Sequence, residues 1–546
     1  MQISVLLAAI AAFIATHASA QDDLEELWED TWSDRPGERE EFRRSKLPSK
    51  LTWQDCGEIP KGMEMAAVKC AWLKVPVTED DKKNDVPSYD EMVIPIIKAK
   101  TPGVPKRKVF YSPGGLGADW VNDQFLYHTD YKRLSKTLGK GTEIIVVGNR
   151  YTNWTTCLPE NEPLRLDLTP GKKMFADSDV DKTLKKMWKN GEDYRYGCGN
   201  FRRKQYGVPY LGTKWAAKDL DRVRKKLGLA KISFFGESIG GTILGIEYAR
   251  MFPDRVERMA LDGVAPYSWY SQEHDPEEIA VAAGYWDKLW IACHKAGPRG
   301  YCGFYHDDIE EIRKAFFSIG PRLQRERYLL DIHGHPNENH FAPVSVVFDE
   351  QMWLKYVLQS LNDKSARKSV MNIASAISKN EPRALASDPG RNEPKWNPKE
   401  TAYFLASVDR GGLQETPTAE EIRQRFFPKD MDILELGTDW PTLLTAAAMN
   451  LTSVDPPSKY PANVTTPPIL FIGNTGDTRT PLCNARNWQE KAFPNGRLLT
   501  IDGIGHGLKA ADIDSKCAEK YLSKYFTTGE LPPKGTICEG LQFPEF

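Results

Sequence analysis

Short apolar runs bounded by glycine, proline or asparagine recur along the chain and predict β-strands. They are rich in β-branched and aromatic side chains and cover residues 71–77, 92–98, 108–112, 143–148, 232–235, 258–261, 468–472 and 497–502. Helical periodicity lies between the later runs: residues 214–227 repeat apolar positions on one face and stop at Gly228. Strands that alternate with helices predict an α/β fold with a mostly parallel central sheet and helices on both faces.

The fifth predicted strand runs into a glycine-rich turn around a serine, FFGESIGG, and helical residues 242–251 follow. Ser238 is the centre of the pattern G-x-S-x-G. A strand, a sharp turn and a helix are the context that a nucleophile elbow requires, because the turn strains the serine backbone and glycine neighbours leave room for it. The context predicts that Ser238 is a nucleophile; the alternative is a small residue in a tight turn.

Two later strand ends supply the partners that a serine nucleophile needs. Asp477 follows the strand at 468–472 in GNTGDTRTP, and His506 follows the strand at 497–502 in GIGHG. Serine, acid and histidine in this order match the α/β-hydrolase arrangement, with Asp477 orienting His506 as the base. Asp477 as a turn-forming residue is the simpler alternative, and Asp262, after the strand at 258–261, is the rival acid.

A glycine-rich loop follows the third predicted strand and reads PGGLG from Pro113. In hydrolases of this type such a loop presents backbone N–H groups to the developing oxyanion. We expect Gly115, Leu116 and Ile239 to form the oxyanion hole, although a plain glycine turn has the same sequence.

Composition excludes several other classes of protein. The 546 residues are 40% hydrophobic and 27% charged, which is a globular balance. A net charge of −2 offers no electrostatic reason to bind nucleic acid or an anionic membrane. His333, His335 and His340 crowd one polar loop, but no acidic or cysteine ligand pattern frames them, so we expect no metal and no other cofactor.

The N-terminus resembles a secretory signal. Residues 5–15 are apolar and are followed by Ala18, Ser19 and Ala20, which predicts cleavage after Ala20. A membrane anchor is the alternative, but the run is shorter than the roughly 20 residues needed to span a bilayer. We therefore expect a secreted, extracellular chain that is not attached to a membrane after cleavage.

The cysteines agree with export, because they are scattered without a metal-binding spacing and favour disulfides. Connectivity does not follow from sequence, but sequential neighbours suggest pairs that leave Cys483 free: Cys56 with Cys70, Cys157 with Cys198, Cys293 with Cys302, and Cys517 with Cys538. Three sequons, at Asn153, Asn450 and Asn463, are glycosylation acceptors if the chain passes through a eukaryotic secretory route.

About 200 residues separate the strand at 258–261 from the strand at 468–472, far more than neighbouring strands need. We interpret residues 269–440 as a large, mainly helical cap, between a first core part at 21–268 and a C-terminal core part at 441–546, with residues 1–20 as the signal. The cap begins with an acidic stretch that contains Glu273, Asp275, Glu277 and Glu278. These carboxylates are candidates for binding the substrate, but runs of charged residues are usually solvated, so we assign none of them.

Four segments resemble the secreted tripeptidyl aminopeptidase and proline iminopeptidase branch of the α/β-hydrolases. They are the helix KWAAKDLDRVRKKLG, the elbow GESIGGTILGIEYARMFPDRVERMALDGV, the acid loop PPILFIGNTGDTRTPLCNARN and the tail GHG…CAEKYLSKYFTTGELPPKGTICEG. The tail is similar to the tripeptidyl-aminopeptidase-like C-terminal domain. The resemblance implies Ser238 as nucleophile, Asp477 as acid, His506 as base and a Cys517–Cys538 disulfide.

The resemblance implies a secreted serine aminopeptidase that releases short peptides or single residues from free N-termini. The sequence departs from the family near the expected substrate mouth, with GGLGADW from Gly114 and NRYTNW from Asn149. The elbow G-E-S-x-G-G is also similar to that of carboxylesterases. A carboxylesterase or lactonase acting on a small metabolite is therefore the alternative, and a non-catalytic binding protein is a third.

Overall fold

The computed structural model describes most of the core and parts of the insertion. It covers a few isolated positions and residues 51–56, 68–77, 91–115, 130–150, 210–270, 281–298, 305–326, 328–332, 344–348, 364–379, 440–451, 464–508 and 516–540. The predicted signal segment lies outside these residues.

A nine-stranded sheet forms the centre of the described structure, in the order β1-β2-β4-β3-β5-β6-β9-β10-β11. Among these strands only β2 runs opposite to the others, pairing antiparallel with β1 and β4. The strands are β1 Lys69–Pro76, β2 Glu91–Lys100, β3 Arg107–Ser112, β4 Thr142–Val147, β5 Ile232–Glu237, β6 Val256–Asp262, β9 Leu470–Gly476, β10 Arg497–Ile504 and β11 Ile537–Glu539.

Ten described helices accompany the sheet and the insertion. They are α1 Asp130–Thr137, α2 Thr213–Lys226, α3 Ser238–Met251, α4 Val281–Ala296, α5 Ile309–Phe317, α6 Ile319–Arg325, α7 Lys364–Ser378, α8 Trp440–Met449, α9 Leu482–Asn487 and α10 Lys516–Thr528. A π-helical turn, Trp488–Ala492, continues α9.

Neighbouring residues on one strand belong to different cores, which shows that both faces of the sheet are covered. Phe234 packs in the core that contains residues of α2, α3 and α9. Phe235, the next residue, packs in the core that contains residues of α1 and α10. Side chains alternate across a strand, so a strand that is apolar on both faces must be covered by helices on both faces. The predicted α/β-hydrolase architecture is confirmed.

The chain between β6 and β9 contains α4 to α8 and a hairpin of β7, Tyr328–Ile332, with β8, Val344–Phe348. The sequence predicts helices here and not this hairpin. A buried aromatic cluster lies inside the insertion, where Trp286 stacks on Trp290 and both rings contact Phe316. The division into segments at 21, 269 and 441 remains a prediction.

Candidate active site

Ser238 lies at the sharp turn between β5 and α3, at the carboxyl edge of the sheet. Its φ of 56° is in the left-handed region, which costs a non-glycine residue about 1–3 kcal/mol. The turn is held because backbones approach closely: a Cβ on Gly236 would lie 2.4 Å from the carbonyl oxygen of Gly241, and one on Gly240 would lie 1.8 Å from that of Gly115. The turn therefore needs glycine at both positions, as the elbow interpretation predicts.

The three side chains singled out from the sequence lie in one hydrogen-bonded row. His506 Nε2 is 2.7 Å from Ser238 Oγ. On the other side of the ring, Nδ1 is 3.0 Å and 3.1 Å from the two carboxylate oxygens of Asp477. These residues come from the ends of β5, β10 and β9, whose carboxyl ends share one edge because the strands are parallel. The row has the geometry of a nucleophile, a base and an orienting acid.

Asp477 is buried, 1% exposed, and is surrounded by hydrogen-bond donors. The backbone N–H groups of Arg479, Thr480 and Gly507 donate to it at 2.9, 2.8 and 3.1 Å, and the Thr480 hydroxyl donates at 2.8 Å. Burial alone would raise the pKa of Asp477, but His506 and these donors lower it below its usual value. An ionised acid beside Nδ1 stabilises an imidazolium at His506.

The rival acid, Asp262, ends β6 and is equally buried, at 1% exposed. Its Oδ2 accepts a hydrogen bond of 2.7 Å from the backbone N–H of Leu508, the second residue after His506. Burial and the nearby Glu237 raise the pKa of Asp262 well above its usual value. The hydrogen bonds found in the described structure thus connect Asp477, and not Asp262, to the imidazole.

Glu237, beside the serine, points away from the row and is 3% exposed. Arg133 on α1 donates two hydrogen bonds to it, at 2.7 and 2.6 Å, and the Tyr111 hydroxyl donates a third at 2.5 Å. A buried carboxylate that is paired and hydrogen-bonded in this way fixes the backbone from which it comes. Glu237 is therefore a structural residue under the elbow.

The glycine loop after β3 lies against the elbow. A Cβ on Gly114 would be 2.7 Å from Ser238 Oγ, and the Gly115 carbonyl meets Gly240. Ile239 is in the first turn of α3, where backbone N–H groups have no partner within the helix. Leu116 lies outside the described residues. The oxyanion assignments remain predictions.

Two polar residues at the site were missed by sequence reasoning. The Thr480 hydroxyl is 3.0 Å from His506 Nδ1 as well as bonded to Asp477. Asn474 is fully buried and its Nδ2 donates to the carbonyls of Gly505 and Gly507 at 2.7 and 3.3 Å. The stretch DTRT could have indicated Thr480. An aspartate side chain often accepts a hydrogen bond from the backbone N–H two residues later, which would bring residues 479 and 480 close to Asp477.

Three of the suggested cysteine pairs are disulfides in the structure: Cys56–Cys70, Cys293–Cys302 and Cys517–Cys538. Cys483 is buried and forms no disulfide with the other described cysteines, as expected. Asn450 follows α8 with a φ of 44° and is half-buried. The remaining predicted positions lie outside the described residues: Cys157, Cys198, Asn153, Asn463, the three histidines of the polar loop and the four acids of the cap.

No cluster of metal-ligating side chains occurs among the residues that the structure describes. In the same part of the chain, every helix is too short or too polar to span a bilayer.

Comparisons with known proteins show similarity to serine peptidases, in agreement with a serine, histidine and aspartate in one row. Residues 436–538 match a family model described as "TAP-like protein". The chain is 24% identical to a tripeptidyl aminopeptidase of Streptomyces lividans over 516 residues, which cover 89% of this chain and 86% of that protein. It is 21% identical to the serine protease Hip1 of Mycobacterium tuberculosis, strain CDC 1551 / Oshkosh, over 527 residues, which cover 92% and 93%.

Among solved structures, the match to esterase E22 covers 84% of this chain and 100% of the esterase chain, at 11% sequence identity. Its TM-score of 0.33 is too low to inform on function. The assignment depends instead on the sheet, the elbow and the sequence similarities. The chain is a serine hydrolase with the α/β-hydrolase fold, similar over most of its length to tripeptidyl aminopeptidases.

Proposed function

We propose that this protein is a secreted serine aminopeptidase that releases short peptides or single residues from free N-termini. The observation that carries the proposal is the continuous hydrogen-bonded row from Ser238 Oγ through His506 to Asp477. In this proposal Ser238 is the nucleophile, His506 the general base and Asp477 the orienting acid.

The reaction proceeds in two halves. His506 Nε2 accepts the proton of Ser238 as Oγ attacks the carbonyl carbon of the scissile bond, and Asp477 stabilises the resulting imidazolium. The imidazolium then donates that proton to the leaving amine, which leaves an acyl group on Ser238. Water, deprotonated by His506, attacks the acyl-enzyme, and the acid product and free serine are released. These steps require no cofactor.

The developing oxyanion needs hydrogen-bond donors beside Ser238. The N–H of Ile239, at the start of α3, is suited to this role because its helix supplies no acceptor for it. A second N–H comes, in this proposal, from the loop at Gly115 and Leu116. A lost oxyanion donor typically costs about 2.7–4 kcal/mol of transition-state stabilisation.

Sequence similarity supports peptide substrates. The sequence similarities extend across most of the chain to peptidases and include a TAP-like C-terminal match. The insertion also contacts the strand that leads to the acid: Lys288 on α4 donates a hydrogen bond of 3.1 Å to Thr475 on β9, two residues before Asp477. In this proposal the insertion takes part in substrate selection. The three disulfides support a chain that matures in an oxidising compartment.

Ester hydrolysis is the second candidate, favoured by the esterase-like G-E-S-x-G-G elbow. The same triad would perform it, with an alcohol as the leaving group in place of an amine.

The decisive experiment compares substrates and variants side by side. Ser238→Ala is expected to abolish labelling by an active-site serine probe and to lower kcat at least about 10³-fold, because the nucleophile is lost. Ser233→Ala is the matched control: Ser233 lies on the same strand, and its hydroxyl bonds Glu257 at 3.2 Å, away from the triad. Labelling of Ser238→Ala at the wild-type level would exclude Ser238 as the nucleophile.

The wild-type enzyme is then tested on chromogenic peptides with free and acetylated N-termini and on short-chain esters. Strong preference for the free amine is the expected result. Turnover of esters without cleavage of any peptide would replace the aminopeptidase proposal with the esterase.

A further inference from the structure

The loop that carries His506 is held by three buried side chains from two strand ends. Asn474 holds the carbonyls of Gly505 and Gly507, and Asp477 accepts from the Gly507 N–H as well as contacting the ring. Asp262 accepts from the next N–H along, that of Leu508. Asp477 and Asp262 therefore bind two successive backbone N–H groups directly after His506.

Asp262 contacts this loop closely. A Cβ on Gly507 would lie 2.8 Å from Asp262 Oδ2, and Gly507 has a φ of 59°, so side-chain size and backbone conformation both restrict this position to glycine. The other oxygen, Oδ1, is buried and has no hydrogen-bond partner within the described residues. A carboxylate with one donor for two buried oxygens is poorly solvated, and a neutral carboxyl group suits this environment better.

The surrounding charges favour the neutral form as well. Burial is the main cause of the raised pKa of Asp262, and Glu237 on β5 and Asp477 after β9 raise it further. Arg133 on α1 and the Leu508 N–H act in the opposite direction, but the net shift is upward. His506 faces the same region from the end of β10. The pKa of Asp262 is thus raised where that of Asp477 is lowered.

We propose that Asp262 is a positioning residue for the triad, which fixes the His506 loop against the end of β6 through the Leu508 N–H. It does not contact the reacting atoms. This role is an addition to the proposed function, because it presupposes that His506 is the base. Since a misplacement of about 1 Å can cost about 100-fold in rate, a contact two residues from the base is sufficient to control activity.

Two substitutions test this role. Asp262→Asn has nearly the same size and an amide oxygen that accepts from Leu508, so kcat is expected to stay within about twofold of the wild type. Asp262→Leu keeps the branching at Cγ but has no acceptor, so kcat is expected to fall about 10- to 100-fold while KM changes less than about twofold. The acidic limb of the kcat/KM pH profile is expected to be unmoved in Asp262→Asn.

Three results would overturn the proposal. One is wild-type kcat in a folded Asp262→Leu protein. The second is a fall in kcat of more than about tenfold in Asp262→Asn. The third is a displaced acidic limb of the kcat/KM pH profile in Asp262→Asn. Either of these two results would show that Asp262 acts through its charge. If Asp262→Leu does not fold, as judged by thermal unfolding, the asparagine variant decides alone. Ser238→Ala is measured in parallel: activity in that variant would reject the proposed function itself.

Discussion

Two buried aspartates, Asp477 and Asp262, lie at the ends of neighbouring strands and bind successive N–H groups of the same loop, but their pKa values shift in opposite directions. Asp477 receives four donors besides His506, and its pKa is lowered. Asp262 receives one described donor and faces Glu237, and its pKa is raised. Both are 1% exposed, so burial does not distinguish them. The number of donors and the nearest charge decide the direction in which each pKa shifts.

This difference assigns separate roles to the two acids. An ionised carboxylate that contacts Nδ1 can stabilise an imidazolium, whereas a neutral carboxyl can fix backbone without adding a second negative charge to the site. Two carboxylates ionised in the same apolar region would repel each other, and one protonated member avoids this cost.

The strongest test of the comparison is Asp477→Asn. The amide cannot stabilise the imidazolium and favours the wrong imidazole tautomer, so kcat is expected to fall about 10³- to 10⁴-fold. Steady-state kinetics beside Asp262→Asn, with its expected change of less than about twofold, measures the contrast directly. Equal losses in the two asparagine variants would show that the two acids are not distinguished by charge.

A smaller effect is expected from Thr480→Val, which removes one of the donors that set Asp477 apart. A hydrogen bond to a charged group contributes about 1.5 kcal/mol or more, which corresponds to about a tenfold loss in kcat. The variant should also raise the pKa of Asp477 towards its ordinary value. A carboxyl group whose pKa is lowered by folding stabilises the folded state at neutral pH. This stabilisation is lost as the pH falls through the folded-state pKa, so the stability difference between Thr480→Val and wild type should shrink in acid.

Denaturant unfolding at pH 7 and pH 3.5 measures that difference, and kinetics measures the loss in kcat. Thr475→Val is the matched control, because Thr475 is the same residue type two residues before Asp477 and its hydroxyl donates to Asp502 at 2.8 Å. An equal loss of activity in both variants would show a general effect of this segment.

The smallest effect on activity concerns a third buried acid, Asp409, which makes no described contact with the triad. It accepts from the N–H of Thr213 at 2.8 Å and from its hydroxyl, and burial raises its pKa to about 6. Because the folded-state pKa is raised, wild-type stability should fall as pH rises from about 4 to 6. Asp409→Asn removes this penalty and is expected to gain on the order of 1–3 kcal/mol relative to wild type at pH 7.5, but not at pH 4.

Denaturant unfolding at both pH values measures this gain, with exposed Asp254→Asn as the control substitution. Unchanged kcat is expected, because a raised pKa here reflects burial and not catalysis. A pH-independent stability difference would contradict the raised pKa of Asp409.

The strands of the core were predicted well because local pattern and buried environment agree. The run at 232–235 lies within β5, and the run at 497–502 lies within β10. The strand β11 was missed because its three residues, ICE, have no periodicity of their own and are a strand only by pairing with β10. The helix between β9 and β10 begins at Leu482 and changes to a π-helical turn at Trp488, whose ring nitrogen donates to the carbonyl of Ala265 at 2.9 Å; this change depends on that tertiary contact and has no local signal.

The sequence by itself determined the order of chemistry along the chain: a serine in a glycine-flanked elbow, then an acid, then a histidine, each just after an apolar strand. Local patterns carry this information because strands and tight turns depend on nearby residues. Only the tertiary structure showed that Asp477, and not Asp262, contacts His506 Nδ1 and that their pKa values shift in opposite directions, because both depend on donors and charges from β5, α1 and the loops after β9 and β10. Those groups are up to a few hundred residues apart in sequence and meet only at the edge of the folded sheet.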